Sequence, residues 1–386
     1  MNRFYFDHNA TTPVCEEVLN VYLPLLREVY GNASSTHHFG QEASRRLEGA
    51  RGQVARLLGA HPAEIVFTSG GTEADNLALL GIARASGDRR KHVITTSIEH
   101  PAVMRACEQL GREGADVTYV PVGASGVVDP DDIRRALTPY TVLISVMHVN
   151  NEIGTIQPVE RIAAIAREAG VPFHSDGVQA VGKVVFPTGP VGDLYTMSGH
   201  KFYAPKGVGV LYVRQGTRLA PALHGGHQER DRRPGTQNVP AAVALGEAAR
   251  WAVENTGREN VRLARLRDRL EQGVLGRVPG TAVNGSGARV ANTSNIRFDG
   301  VYAGALLIAL DLGGFAVSSG AACSSGAVEP SHVLTAIGLT QAQARSSLRI
   351  SLGRGNSGEQ VDALVETVSR AVTELRKVST AAVGRG

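Results

Sequence analysis

DLYTMSGHKFYAPKGVGVLYV, residues 193–213, sets two apolar β-rich runs on either side of a polar turn. The gap between DLYTMS and GVGVLYV is too short for a helical crossover, so one of the two strands runs antiparallel to the other. Upstream, short β-rich runs alternate with longer helical patterns. EIVFT (Glu64–Thr68) precedes EADNLALLGIARA, and HVITT (His92–Thr96) precedes PAVMRACEQLGREG. TVLISVMHV (Thr141–Val149) precedes PVERIAAIAREAG, and VPFHSD (Val171–Asp176) follows that helix. This alternation, from about residue 60 to 215, predicts an α/β fold with a mostly parallel sheet covered on both faces. Downstream, two helical patterns, Pro240–Asn255 and Glu259–Val278, lead to shorter strands (SNIRFDG, RISLG) and a final helix, EQVDALVETVSRAVTELRKV. They predict a large domain over residues 15–254 and a smaller α+β domain over 255–386, joined by an N-terminal segment, 1–14.

A chain of 386 residues has room for both. The net charge of +4 is mild, and acidic and basic residues are interleaved, which gives direct nucleic-acid binding no support. The N-terminus MNRFYFDHNATTPV has no apolar core of a signal peptide, and no apolar run approaches the ~20 residues of a membrane helix. No membrane association is expected. Three cysteines, Cys15, Cys107 and Cys323, are odd in number and far apart. They suit a reducing compartment, the cytoplasm by default, and no disulfide frame or zinc site. Cys15 and Cys107 lie in helical patterns and read as packing residues. HGGH (His224–His227) reads as a turn, and no resident metal is expected.

In an open parallel sheet, ligands sit beyond the carboxyl ends of the strands. The residues just beyond each predicted strand are therefore the candidates. Ser69-Gly70-Gly71-Thr72 suits an anion at a helix N-terminus, or else Thr72 and Asp75 form an ordinary capping box. It is neither a Walker loop nor a GxGxxG. His100 precedes Pro101, a good first helical residue, and reads as a cap or as an acid–base group. Asn150-Asn151-Glu152 comes after the third strand. Asp176 ends the fourth, with Gln179 just beyond. Asp176 is a turn carboxylate or a buried partner for a cationic nitrogen. Ser198-Gly199-His200-Lys201 comes after the fifth. Lone lysines mostly face solvent, but one at this edge can form a Schiff base with an aldehyde. Phosphate cradle, carboxylate and lysine together describe pyridoxal 5′-phosphate (PLP), whose protonated ring is an electron sink.

The blocks YFDHNATTPV, YGNASSTHHFG, IVFTSGGTEADNLA, HVNNEIG, SGHKFYAPKGVG, GGHQERDRRPGT, SSGAACSSGAVEPSHVL and SSLRISLGR resemble, in order and spacing, those of cysteine desulfurases of the nitrogen-fixation and iron–sulfur-cluster assembly group. These belong to the class-V aminotransferase family, and the resemblance covers about residues 4–370. It implies fold type I of the PLP-dependent transferases, with a mixed, mostly parallel seven-stranded sheet. It also implies a homodimeric enzyme that takes sulfur from L-cysteine, leaves L-alanine and hands the sulfur to an iron–sulfur scaffold or another acceptor protein. By that resemblance Lys201 bonds the cofactor, His100 stacks on its ring, Asp176 pairs with the ring nitrogen and Gln179 bonds the ring oxygen. Thr72, Ser198 and His200 hold the phosphate, with Thr236 reaching it from the other subunit, and Gly71, Gly199 and Asn151 also belong to the cofactor-binding set. Asn151 and Arg349 bind the substrate carboxylate, helped by Asn9, with Arg354 the competitor to Arg349.

Cys323, in the stretch SSGAACSSGAVEP (Ser318–Pro330), becomes the nucleophile that accepts sulfur as a persulfide. An unperturbed thiol is only ~3% thiolate at pH 7, so it needs help from its surroundings. Two departures from the family pattern stand out. Gly177 replaces a common alanine, which predicts looser packing behind the ring. Pro234 replaces a small residue in the loop leading to Thr236, which predicts a stiffer loop. Rival readings are a selenocysteine lyase or another class-V aminotransferase, and a sulfur-delivery platform whose Cys323 is a transient ligand of a partner's cluster.

Overall fold

The computed structural model describes residues 3–87, 90–186, 189–319 and 330–383. In chain order the elements are β1 (Phe4–Tyr5), α1 (Glu16–Glu28), α2 (His38–Leu58), β2 (Ile65–Thr68), α3 (Gly71–Ala85), β3 (His92–Thr96), α4 (Pro101–Arg112) and β4 (Asp116–Val120). Next come α5 (Pro130–Ala136), β5 (Thr141–Ser145), α6 (Val159–Ala169), β6 (Phe173–Asp176), β7 (Leu194–Ser198), β8 (Gly209–Val213) and α7 (Val239–Arg277). The chain ends with β9 (Thr281–Val283), β10 (Thr293–Phe298), α8 (Ala303–Leu312), β11 (Phe315–Ala316), α9 (His332–Ala336), α10 (Gln341–Ala344), β12 (Ser347–Ser351) and α11 (Gly358–Val383).

The large sheet has seven strands in the order β2-β8-β7-β6-β5-β3-β4. β8 is antiparallel to both neighbours, β2 and β7, and the remaining pairs are parallel. The mixed, mostly parallel α/β sheet is therefore as expected, and the antiparallel strand is the one that the short turn demanded. Every residue of β2, β3, β5, β6, β7 and β8 is buried, which is why β2, β5, β7 and β8 read as largely apolar runs, while β6, FHSD, buries polar side chains. β4 closes one edge with a partly exposed DVTYV, so it carries no such signal.

The two helical patterns near residue 255 are one helix. α7 runs unbroken for 39 residues, and the expected boundary falls inside it. Its first half buries Val239, Ala242, Leu245, Ala249 and Ala252 with α1, α2 and β2. Its second half buries Leu263, Leu270 and Val274 with β10, β12 and α11. The buried face changes partner along the helix, which breaks the periodicity without breaking the backbone hydrogen bonds. The C-terminal region forms a three-stranded antiparallel sheet, β12-β10-β9. β1 pairs with β11, and Asp7 bridges Ser351, so the N-terminal segment is stapled to this sheet. A few residues later the same segment crosses to the turn after β7. Thr12 N donates to His200 O at 2.8 Å, and Tyr203 N donates to Thr12 Oγ1 at 2.7 Å.

Candidate active site

The parallel strands deliver their carboxyl ends to one cavity of about 350 Å³. Its lining includes Asn9, Gly71, Thr72, His100, Asn151, Asp176, Gln179, Ser198, His200, Lys201 and Arg349. Eleven expected residues, drawn from seven places in the sequence, thus meet in one space. Two others do not line it. Gly199 lies beneath, where a Cβ would meet Ala204, Val208 and Leu245 at 3.1 Å. Thr236 is exposed outside the cavity. Cys323 lies outside the described residues. Arg354 is committed elsewhere, to Glu17 at 2.7 Å and over the Trp251 ring at 3.7 Å.

The anion end is built by α3. Gly70 is its N-cap and makes no side-chain cap, so the capping-box alternative fails. Gly71 is required, because a Cβ there would meet Val178 Cγ2 at 2.8 Å. Asp75, the other member of that alternative, is buried against His174, 3.6 Å away, and lines the floor of the cavity. Burial and the nearby Asp176 charge raise its pKa well above the ordinary carboxyl range. Thr72, Ser198 and His200 surround the helix N-terminus, which favours negative charge.

Asp176 accepts a hydrogen bond from Val178 N at 2.9 Å. No arginine or lysine pairs with it among the described residues. Burial raises its pKa, opposed by the charges of His100 and Lys201. Such a carboxylate calls for a cation. His100 caps α4, its Nδ1 accepting from Ala102 N at 3.1 Å. That bond puts the neutral ring's proton on Nε2. Desolvation lowers its pKa, against the opposing pull of Asp176.

Lys201 Nζ donates to the carbonyl oxygens of Asn9 and Ala10, each at 2.8 Å. Burial pulls its pKa down to about 8, and the Arg349 charge adds to the effect. Arg349 stands on β12, with Nη2 on Asp7 Oδ1 at 2.7 Å and Nη1 on Asn151 O at 3.1 Å. Asn150 sets that turn by accepting from Glu152 N and Ile153 N. Asn9 lines the cavity, but its amide is spent. Nδ2 donates to Asn151 O and Thr293 Oγ1, and Oδ1 accepts from Lys183 and Asn292.

Behind Asp176 the expectation of loose packing is overturned. A Cβ at Gly177 would fall 2.0 Å from two ring carbons of Tyr195. Tyr195 is fully buried and its hydroxyl bonds His148 Nδ1 at 2.8 Å. The phenol occupies the space that the missing methyl leaves. Sequence reasoning missed Tyr195, and it missed Asp7, whose partner is 342 positions away. Glycine directly after the strand-end carboxylate was the available signal for the first.

A strand-end cavity that combines a helix N-terminus, an unpaired buried carboxylate and a lysine of lowered pKa defines a protein that binds a phosphorylated, aldehyde-bearing cationic ring. The chain belongs to the class-V aminotransferase family, whose model matches residues 4–364. It is 47% identical over 377 residues to a cysteine desulfurase IscS of Methanosarcina thermophila, covering 97% of this chain and 93% of that one. A solved NifS-like protein superposes with a TM-score of 0.91 at 37% identity, covering 97% of this chain and all of that one. A structure of SspA in complex with cysteine superposes with a TM-score of 0.80 at 37% identity, covering 90% of this chain and 98% of that one. Family members depend on PLP, and the residues here fit it. The lone carboxylate of Asp176 suits the ring nitrogen, and the cradle that a Cβ at residue 71 would fill suits the phosphate.

Proposed function

We propose that this chain is a PLP-dependent cysteine desulfurase that removes sulfur from L-cysteine, leaves L-alanine and carries the sulfur as a persulfide on Cys323. The observation that carries the reading is the convergence of Lys201, Asp176 and Arg349 on one cavity. Asp176 would hold the ring nitrogen, Gln179 the ring oxygen and His100 the ring face. Thr72, Ser198, His200 and the N-terminus of α3 would hold the phosphate, and Lys201 would bond the aldehyde. When bound, the cofactor supplies an electron sink for the electrons released as the substrate's Cα loses its proton.

The chain's own groups do the rest. Arg349 and Asn151 orient the substrate carboxylate by charge-assisted hydrogen bonds. Lys201, with a pKa near neutrality, removes the Cα proton and can return one to carbon. His100 carries its proton on Nε2 in the neutral form, so the ring can donate that proton toward the substrate sulfur. The thiolate of Cys323 attacks the substrate sulfur. The carbon–sulfur bond breaks, its electron pair stays with carbon, and a proton delivered there completes alanine. One cysteine and one protein thiol give one alanine and one persulfide, with no outside oxidant or reductant.

Cys323 has support from its flanks. Ser318 exchanges both backbone hydrogen bonds with Arg349, at 2.7 and 3.1 Å. Ser331 Oγ donates to Glu152 Oε2 at 2.6 Å. Both anchors adjoin substrate-binding positions. Cys323 is five positions along the chain from Ser318, a reach of up to ~17 Å. The reading includes a homodimer in which the exposed Thr236 serves a second copy's cavity, a cytoplasmic location, and an iron–sulfur scaffold or other protein as sulfur acceptor. It also keeps the large and small units on either side of residue 255. Among the described residues no helix is long and apolar enough to cross a membrane.

The test is turnover of L-cysteine by the PLP-loaded protein. Alanine and sulfur are expected in equal amounts, with Cys323→Ala keeping the bound cofactor's absorption and losing alanine formation. Alanine formation at the parent rate in that variant would remove the persulfide step.

A further inference from the structure

Lys183 has no part in the chemistry above. It stands four residues beyond Gln179 and does not line the cavity. It borders a void of about 30 Å³ on the far side, together with His8, Lys201 and Trp251. Its Nζ donates to Gln179 Oε1 and, at 3.0 Å, to Asn9 Oδ1. Among the described residues no carboxylate lies within ion-pair distance of it. Burial, and then the charges of Lys201 and Arg349, push its pKa well below the ordinary lysine range. An ammonium without a counter-ion beside two other cations is costly to keep. Its effect on its two acceptors gives a reason for keeping it.

A side-chain amide has an oxygen that accepts and a nitrogen that donates twice, and its neighbours decide which way it faces. A carbonyl oxygen can only accept, so the group of Gln179 that meets Asn9 O is the nitrogen, and the group that meets Lys183 is the oxygen. Lys183 donates to that oxygen and to Asn9 Oδ1, which uses both hydrogens that even the neutral amine keeps. Gln179 Nε2 spends one hydrogen on Asn9 O at 2.9 Å, which leaves one N–H. Gln179 is buried and lines the cavity beside Asp176. We propose that Lys183 is a positioning residue: it locks the Gln179 amide so that the cavity meets an N–H and not an oxygen, and so selects a cofactor with an anionic ring oxygen. The same lysine fixes the Asn9 amide, whose nitrogen then ties Asn151 and Thr293. The proposal rests on the PLP reading of the site.

The experiment is a PLP titration of cofactor-free protein, followed by absorption, for the parent, Lys183→Met, Gln179→Leu and the double variant. One net hydrogen bond is worth about a two- to tenfold change in affinity. Lys183→Met is expected to weaken PLP binding by about that factor, and the double variant to bind no more weakly than the poorer single one. A merely structural lysine would lower the melting temperature of the cofactor-free protein and leave PLP affinity alone. That result overturns the proposal, and so do losses that multiply in the double variant. Gln179→Glu leaves Lys183 in place and offers only oxygen, so it should hold PLP more weakly than Gln179→Leu; parent-like affinity overturns the proposal without recourse to Lys183→Met. A parent protein that takes up no PLP would instead bring down the function proposed above.

Discussion

The seven-stranded sheet has two edges with openings, and the larger opening is at the wrong one. At the amino ends of the parallel strands, Thr141, Gly170, Asp193, Arg214 and Arg218 border a groove of about 740 Å³. The cavity at the carboxyl ends is half that size. Yet the groove's charges are already answered: Arg214 Nη2 donates to Gly192 O at 2.6 Å, and Arg218 points into solvent. The smaller cavity gathers a buried carboxylate without a counter-ion and a lysine of depressed pKa. Unsatisfied charge at converging strand ends marks a site better than volume does, because it is the costly feature that only a ligand repays.

The sharpest way to break this comparison is Lys201→Ala. Loss of the proton carrier should cost at least about 100-fold in alanine formation, and the absorption of lysine-bound cofactor should vanish. Parent-like turnover would move the chemistry elsewhere. Next come the arginines. Removing a charge-assisted bond to the substrate costs about 1.5–3 kcal/mol, or roughly 10- to 100-fold in kcat/KM, for Arg349→Ala. Arg354→Ala, which breaks the contacts to Glu17 and Trp251, should lower stability and leave KM for cysteine near the parent value. Arg218→Ala at the opposite edge should change neither by more than experimental scatter. Steady-state kinetics and denaturant unfolding of the three variants check these.

The pH dependence tests the carboxyl edge alone. A lysine bonds an aldehyde only as the neutral amine, and lowering its pKa raises that fraction at a given pH. With Lys201 at about 8, about 10% is neutral at pH 7, against under ~0.1% for an ordinary lysine. The rate of PLP uptake by cofactor-free protein should therefore climb with pH and level off above about 8. A climb that continues past pH 10 would mean an unperturbed amine. The last effect falls on stability, behind Asp176. Gly177→Ala drives a methyl into Tyr195 and should cost about 1–3 kcal/mol in denaturant unfolding. Tyr195→Leu in that background should recover part of it; additive losses would show that the two residues are not packed as described.

Much of this arrangement was legible in the chain. DLYTMSGHKFYAPKGVGVLYV has strands buried on both faces, so its apolar runs are unbroken, and the turn between them had to hold Lys201. Asp176, His100 and Thr72 were legible for the same reason, as polar groups placed at or just past the carboxyl end of an apolar run. The features that escaped depend on distant partners or on context. β4 is an edge strand with no apolar run. The halves of α7 bury their faces in different cores, so one helix looked like two. Asp7 has meaning only beside Arg349, and Lys183 looked like any surface lysine until its acceptors were in place.

The central claim is that the amine of Lys201, at the carboxyl edge of the sheet, is where the cofactor attaches. Borohydride reduction of the PLP-loaded protein fixes the cofactor to its lysine, and peptide mass spectrometry then locates it. The account predicts a pyridoxyl group on the peptide that contains Lys201 and on no other. A pyridoxyl group on Lys183 or Lys206, or on no lysine at all, would contradict it.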